Sequence, residues 1–168
     1  MTTLILQLLL LALLLTIAFA AKSLAPWVPA WSKDLKRIAR LADMKPDEVF
    51  YEVGCGDGRV CDHVQKKFGV KAIGIELAFP LYLACLVRKI RNRKLIFKCR
   101  DLFGVDLSKA DVLYFFALPK SIERLKEKIK KELKPGARVI SYTFPLPGWT
   151  PVTIDKQEGE TDIYLYQI

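Results

Sequence analysis

The sequence predicts a doubly wound α/β fold, in which a mostly parallel sheet is covered by helices on both faces. Short apolar runs typical of buried strands alternate along the chain with amphipathic helical stretches. A glycine-rich segment directly follows the first of these strands. The chain has 168 residues, of which 52% are hydrophobic, and this is enough for one domain with a substantial core.

The predicted elements of this domain begin at residue 32. Ser32 is the predicted N-cap of a helix that ends near Ala42, and Val49–Val53 is the first strand. Further strands are predicted at 71–77, 95–99, 112–116 and 138–144, and helices at 59–68, 80–91 and 120–134. The last helix begins after Pro119 and is stopped by Pro135 and Gly136. Because strands and helices alternate, we expect the strands to be parallel.

The end of the chain departs from this alternation. Residues 152–155 and 162–167 flank a polar turn around Gly159, which is the pattern of a closing β-hairpin. The fifth strand is joined to this hairpin by residues 143–150, a connection shorter than a helical crossover normally takes. We therefore expect no helix between the fifth and sixth strands.

An apolar segment precedes the domain. Residues 4–21 contain no charged residue, and only Gln7 and Thr16 interrupt the apolar run. A helix of roughly 18 residues would be about 27 Å long, which just spans the hydrocarbon core of a bilayer. We interpret residues 1–21 as a membrane anchor helix, residues 22–31 as a linker rich in proline and tryptophan, and residues 32–168 as the folded domain.

Two further features bear on this anchor. Positive charge favours the cytoplasmic side of a membrane, so the domain is expected to face the cytoplasm. The basic residues that follow the apolar segment are Lys22, Lys33, Lys36, Arg37 and Arg40. A secretory signal peptide is the alternative, because Ala18-Phe19-Ala20 resembles a cleavage site, but no basic residue precedes the apolar run as a signal peptide requires.

Cysteine spacing gives no support to a zinc ribbon or a disulfide framework, because no Cys-x-x-Cys pair occurs. The four cysteines are Cys55, Cys61, Cys85 and Cys99. The single histidine, His63, lies near the first two of them, but the spacing fits no familiar set of metal ligands. We therefore predict buried free thiols and no metal site.

The segment YEVGCGDGRV, residues 51–60, indicates a ligand that approaches the backbone closely. Its glycines are Gly54, Gly56 and Gly58. A dinucleotide fingerprint would require a further glycine where this chain has Arg59. The carboxylates of Glu52 and Asp57 would also repel a pyrophosphate, whereas they suit a ligand with a cationic end.

S-adenosyl-L-methionine carries both an ammonium and a sulfonium group, and the string E-x-G-x-G-x-G at 52–58 resembles the first motif of class I methyltransferases. In that family an acidic residue at the end of the second strand binds the ribose hydroxyls, and Glu76 occupies this position. An Asp after the third strand faces the adenine, and Asp101 matches it. The resemblance implies these cofactor-binding residues: Glu52, Gly54, Cys55, Gly56, Asp57, Gly58, Glu76, Leu77, Asp101 and Leu102. It also implies a Rossmann-like sheet of order 3-2-1-4-5-7-6 with an antiparallel last strand.

A narrower resemblance covers nearly the whole chain after the anchor. The matching strings are VPA (28–30), EVGCGDGR (52–59), IEL (75–77), DL (101–102), FALP (116–119) and ARVISYTFPLPGWTP (137–151). They resemble the small single-span protein-lysine methyltransferases that act on the adenine nucleotide translocase and on the rotor ring protein of ATP synthase. Two positions depart from the family pattern: Ala78 replaces the usual Asn, and Thr143 replaces a frequent Arg. The resemblance implies methylation of lysine in a membrane-associated protein.

Aromatic residues are the candidates for handling the substrate. Phe116 and Pro119 are predicted to form the wall between cofactor and substrate. Phe144 and Trp149 are predicted to line a lysine channel, because an aromatic face attracts an alkylammonium. Two alternatives stay open, a phospholipid with an amine headgroup as the substrate and a membrane module that binds the cofactor without catalysis.

The net charge of +9 favours anionic partners. Basic residues cluster at 88–93 and 126–134, which most often indicates solvated helix faces. Anionic lipid headgroups explain the remaining preference more simply than a nucleic acid, because an anchor is already predicted.

Overall fold

The structure is a computed structural model that describes residues 3–8, 10–11, 14 and 28–168. The described residues between 3 and 14 are helical and exposed. The rest of the predicted anchor and residues 22–27 of the linker lie outside the described residues. Within the described part of the chain, none of the helices has the length and apolar content that a membrane crossing requires.

Helices and strands alternate from residue 32 onward, as predicted. The helices are α1 (Ser32–Ala42), α2 (Arg59–Phe68), α3 (Phe79–Arg91) and α4 (Pro119–Glu132). The strands are β1 (Val49–Val53), β2 (Lys71–Glu76), β3 (Leu95–Cys99), β4 (Val112–Phe116), β5 (Arg138–Tyr142), β6 (Thr153–Asp155) and β7 (Ile163–Gln167). A short 3-10 helix, Leu102–Gly104, follows β3.

The seven strands form one sheet of order β3-β2-β1-β4-β5-β7-β6, and this confirms the predicted order. Strands β1 to β5 are parallel, whereas β7 is antiparallel to both β5 and β6. The ends of the five parallel strands therefore meet along one side of the sheet, which we call the carboxyl edge. Ligands of open α/β sheets bind at this edge.

The two faces of the sheet carry separate apolar cores, as in a doubly wound fold. On β4, Val112 and Tyr114 pack into the core beneath α1, α2 and α3. Leu113 and Phe115 point to the opposite face and pack with α4 and the 3-10 helix. The alternation follows from the period of two along a strand, and burial on both sides explains why β4 is apolar throughout.

Two predicted boundaries were wrong. Ser32 is the first residue of α1 and not its N-cap, because the carbonyl of Trp31 already accepts hydrogen bonds from the N–H groups of Asp34 and Leu35. Strand β5 ends at Tyr142 and not at 144, because Thr143 adopts a φ of 76°, far from any strand conformation. A β-branched residue seldom adopts a positive φ, so this position is strained.

No helix occurs within residues 143–152, all of which the structure describes, and this confirms the prediction for that connection. A buried ionic cluster instead attaches the β6–β7 hairpin to α1. The guanidinium of Arg37 lies 3.0 Å from Asp34 Oδ1 and 3.2 Å from Asp155 Oδ1, and all three side chains are buried. Arg37 also donates to the carbonyl of Asp155 at 2.9 Å.

Removing the cation from this cluster is expected to destabilise the domain strongly. Arg37→Ala leaves two buried carboxylates without their partner, so the free energy of unfolding should fall by about 3–5 kcal/mol. Lys36→Ala, an exposed position on the same helix, is the matched control and should change it by less than about 0.5 kcal/mol. Urea unfolding of both variants measures the difference. Equal stabilities would show that the cluster does not hold the hairpin.

Candidate functional site

The glycine-rich turn between β1 and α2 is attached to the neighbouring strand by its backbone. The N–H groups of Gly54 and Cys55 both donate to the carbonyl of Ile75, at 2.9 and 3.0 Å. The turn therefore begins directly at the carboxyl edge, beside the end of β2.

One aromatic ring explains why two glycines stand near this turn. A Cβ on Gly58 would lie 2.6 Å from Phe97 Cζ, and a Cβ on Gly74 would lie 2.6 Å from Phe97 Cδ1. Gly58 also has a φ of 75°, which other residues rarely adopt. The Phe97 ring fills the space that the two glycines leave, so it packs the turn against β2 and β3.

The side chain of Glu76 lies at the end of β2, where the sequence placed it. Its Oε2 accepts a hydrogen bond from the N–H of Gly56, and its Oε1 accepts one from the N–H of Ala78, both at 2.7 Å. Burial raises the pKa of this carboxyl above its ordinary value, although the backbone hydrogen bonds oppose that shift. Glu76 thus bridges the glycine-rich turn and the turn that leads into α3. A carboxylate has about four acceptor positions, so further positions remain for ligand hydroxyls.

Glu52 lies deeper, on β1, and is only 4% exposed. Its Oε2 accepts a hydrogen bond of 3.0 Å from the N–H of Cys61 in the first turn of α2. Burial raises the pKa of Glu52 to about 8, and the hydrogen bonds from Cys61 only partly offset this. The carboxyl therefore changes its charge near neutral pH, directly beneath the glycine-rich turn.

Asp57 is paired with two arginines. Arg59 Nε donates to Asp57 Oδ1 at 2.9 Å, and Arg88 Nη2 on α3 donates to Oδ2 at 2.8 Å. Burial alone would raise the pKa of Asp57, but the two guanidinium groups outweigh it and lower that pKa. The charge of Asp57 is therefore already compensated within the protein, which the sequence argument about repulsion did not foresee.

The other predicted cofactor residues have different environments. Asp101 is exposed at the end of β3, and its Oδ1 accepts a hydrogen bond of 2.9 Å from the N–H of Phe103. Leu77 is half-buried after β2, whereas Leu102 is 5% exposed and belongs to the core. Cys55 is buried, with its sulfur 3.8 Å from that of Cys85.

The predicted substrate residues fall into two groups. Phe116 ends β4, and its ring stacks on that of Phe144 with a centroid distance of 6.3 Å. Pro119 is exposed as the first residue of α4. Trp149 is half-buried and packs edge to face on Tyr166, with a centroid distance of 6.0 Å. The structure thus brings Phe116 and Phe144 into contact and packs Trp149 on β7.

Sequence reasoning missed Tyr142, which belongs to the same aromatic group. Its ring contacts Phe116 edge to face at 6.0 Å, and its hydroxyl donates to Asp34 Oδ2 at 2.8 Å. Burial, together with this hydrogen bond, raises the pKa of Tyr142 to about 12. The available signal was its position two residues before Phe144 in the string SYTF.

Residues 52–153 match the family model described as the ANTKMT methyltransferase domain. The chain belongs to this family. A "Protein-lysine N-methyltransferase" of Saccharolobus islandicus is 38% identical over 151 residues, which cover 85% of this chain and 93% of the relative. A mouse lysine N-methyltransferase named for the ATP synthase protein that it modifies is 33% identical over 80% of this chain, and the match spans 54% of that longer relative.

A solved structure supports the same family and fold. The structure described as an RNA methyltransferase from Salinibacter ruber, in complex with S-adenosyl-L-homocysteine, has a TM-score of 0.79 and 30% identity. The match covers 84% of this chain and 94% of that one. These relatives confirm the predicted class, an S-adenosyl-L-methionine-dependent protein-lysine methyltransferase, and its cofactor.

The buried carboxyl of Glu52 should make stability depend on pH. Its pKa is raised in the folded state, so the unfolded chain loses this proton at lower pH, and the protein loses stability as pH rises from about 4.5 through about 8. Glu52→Gln keeps a hydrogen-bond acceptor and removes the titration. The variant should therefore gain stability relative to the parent between pH 5 and pH 9, by on the order of 1.4 kcal/mol per unit of pKa shift.

Urea unfolding of the parent and of Glu52→Gln at the two pH values checks this expectation. A stability difference between the two proteins that is the same at pH 5 and pH 9 would show that Glu52 does not titrate in this range.

Proposed function

We propose that this methyltransferase modifies a lysine side chain of a membrane-associated protein, and that the aromatic pair at the carboxyl edge receives that lysine. The observation that carries the proposal is the stacking of Phe116 and Phe144 at the ends of parallel strands, along the same edge as the turn held by Glu76. An aromatic face attracts an alkylammonium and excludes water.

Each group of residues has a separate task in this proposal. The glycine-rich turn, Glu76 and Asp101 hold the cofactor, which supplies an electrophilic methyl group when bound. Phe116 and Pro119 form the wall between cofactor and substrate, and Phe144 and Trp149 guide the lysine chain. The support for Trp149 is its half-buried position in the segment that continues from Phe144.

Methyl transfer requires a neutral amine nucleophile in line with the donated methyl group. The apolar surroundings of Phe116 and Phe144 disfavour an ammonium in the absence of water, and they therefore lower the pKa of a lysine that enters. A backbone carbonyl or a water molecule accepts the proton. The main contribution of the chain is to position the amine and exclude bulk water.

Residues 1–21 are proposed as a single-pass anchor, joined by linker 22–31 to a cytoplasmic catalytic domain of residues 32–168. The apolar composition of 4–21 supports the anchor. The linker reaches the domain near the carboxyl edge, because the carbonyl of Ala30 accepts a hydrogen bond from Arg59 Nη1 at the start of α2. Such an attachment would keep the candidate site close to the bilayer and raise its effective concentration toward substrates there.

Transfer of a labelled methyl group tests the substrate class. Membranes from a strain lacking the gene are incubated with the purified enzyme and methyl-labelled cofactor, and protein is then separated from lipid. We expect label in a protein band that maps to lysine by mass spectrometry. Label only in the lipid fraction would instead identify an amine lipid as the substrate, and cofactor binding without transfer would identify a binding module.

A variant pair tests the aromatic pair in the same assay. Phe144→Ala should lower transfer by about 2- to 30-fold, the equivalent of a cation–π contact of 0.5–2 kcal/mol, while cofactor affinity stays unchanged. Phe144→Tyr keeps the aromatic face and is the matched control. Full transfer by Phe144→Ala would remove this residue from the lysine channel.

A further inference from the structure

Helix α3 exposes an apolar stripe to solvent. The stripe consists of Phe79, Leu83, Val87 and Ile90, which are 51%, 46%, 58% and 83% exposed. At 100° per residue these four positions fall within about 80° of one another around the helix. Cys85, which is completely buried, lies on the opposite side and faces the core.

Such a surface needs an explanation, because a helix that is apolar on all sides is normally covered. Contiguous exposed apolar surface on a folded domain marks a site of protein or membrane interaction. The described residues of the N-terminal segment do not cover it, since Leu4, Leu8 and Leu11 are themselves 60%, 57% and 53% exposed.

The charge around the stripe identifies its partner. Residues 77–100 contain no acidic residue. The basic residues in this range are Arg88, Lys89, Arg91, Arg93, Lys94, Lys98 and Arg100. Arg88 is paired with Asp57, but Lys89, Arg93 and Lys94 are exposed at the end of α3. An apolar stripe beside exposed cations complements a bilayer surface with anionic headgroups.

We propose that α3 is an interfacial helix that seats the domain on an anionic phospholipid bilayer. The helix lies along the membrane plane, with the stripe at the boundary of the acyl chains and with Lys89 and Arg93 at the level of the phosphates. A second copy of this chain fits the surface less well, because a symmetric contact through the stripe would bring the two basic ends toward like charges.

This seating has a consequence for the candidate site. Phe79 lies three residues beyond Glu76, so the carboxyl edge is held beside the headgroups. The inference deepens the membrane location proposed above, but it does not depend on methyl transfer. It also acts separately from the anchor, because the anchor fixes the distance from the membrane whereas α3 fixes the orientation.

A fluorescent probe on the stripe tests the contact in the full-length chain. Cys99 is the exposed cysteine of the described residues and is replaced by Ser, so that an environment-sensitive dye can be attached to Ile90→Cys. The control carries the dye at Glu127→Cys, an exposed position on α4. Both proteins are mixed with vesicles of phosphatidylcholine and phosphatidylglycerol that contain a spin-labelled phospholipid, and sedimentation reports vesicle attachment independently.

We expect quenching at residue 90 to exceed that at residue 127 by about three-fold or more. Lys89→Glu with Arg93→Glu, or vesicles of phosphatidylcholine alone, should reduce the quenching at residue 90 several-fold. Equal quenching at both positions in sedimented protein would overturn the inference while leaving the anchor and the enzymatic proposal intact. A probe at residue 90 that is already shielded without vesicles would overturn it as well, because the chain itself or a second copy would then cover the stripe.

Discussion

The carboxylate of Glu76 joins the two backbone turns from which the candidate cofactor site is built. It accepts N–H groups from Gly56 and Ala78, one on each oxygen, and it is nearly buried. A buried carboxylate is costly unless its hydrogen bonds are made, so the positions of the two turns depend on each other. The Phe97 ring reinforces this arrangement, because it packs against Gly58 and Gly74 from the strand side.

The substrate side of the edge depends on a second set of contacts. Tyr142 packs on Phe116 and donates to Asp34, and Asp34 in turn pairs with Arg37 and, through it, with Asp155. The ionic cluster that holds the terminal hairpin in the absence of a crossover helix therefore also fixes one wall of the aromatic group. Stability and substrate positioning share these residues, since α1 supplies the cluster and β5 supplies the ring.

The elements and the position of the glycine-rich turn were predictable from the sequence, because periodicity and glycine or proline boundaries are local signals. The strand order and the role of Glu76 came from the family resemblance. Pairings across long separations were not predictable: Asp57 meets Arg88 31 residues away, and Tyr142 meets Asp34 108 residues away. The positive φ of Thr143 also escaped prediction, since local preference for a β-branched residue favours a strand there.

The most direct test of this account is a calorimetric titration of the parent protein and of Glu76→Ala with S-adenosyl-L-methionine and with NAD. The account predicts that the parent binds S-adenosyl-L-methionine and not the dinucleotide, and that the variant binds it more weakly by about 1–3 kcal/mol, or roughly 5- to 150-fold. Glu127→Ala on the exposed face of α4 controls for loss of a charge. Unchanged affinity in Glu76→Ala, or tight binding of the dinucleotide alone, would contradict the account.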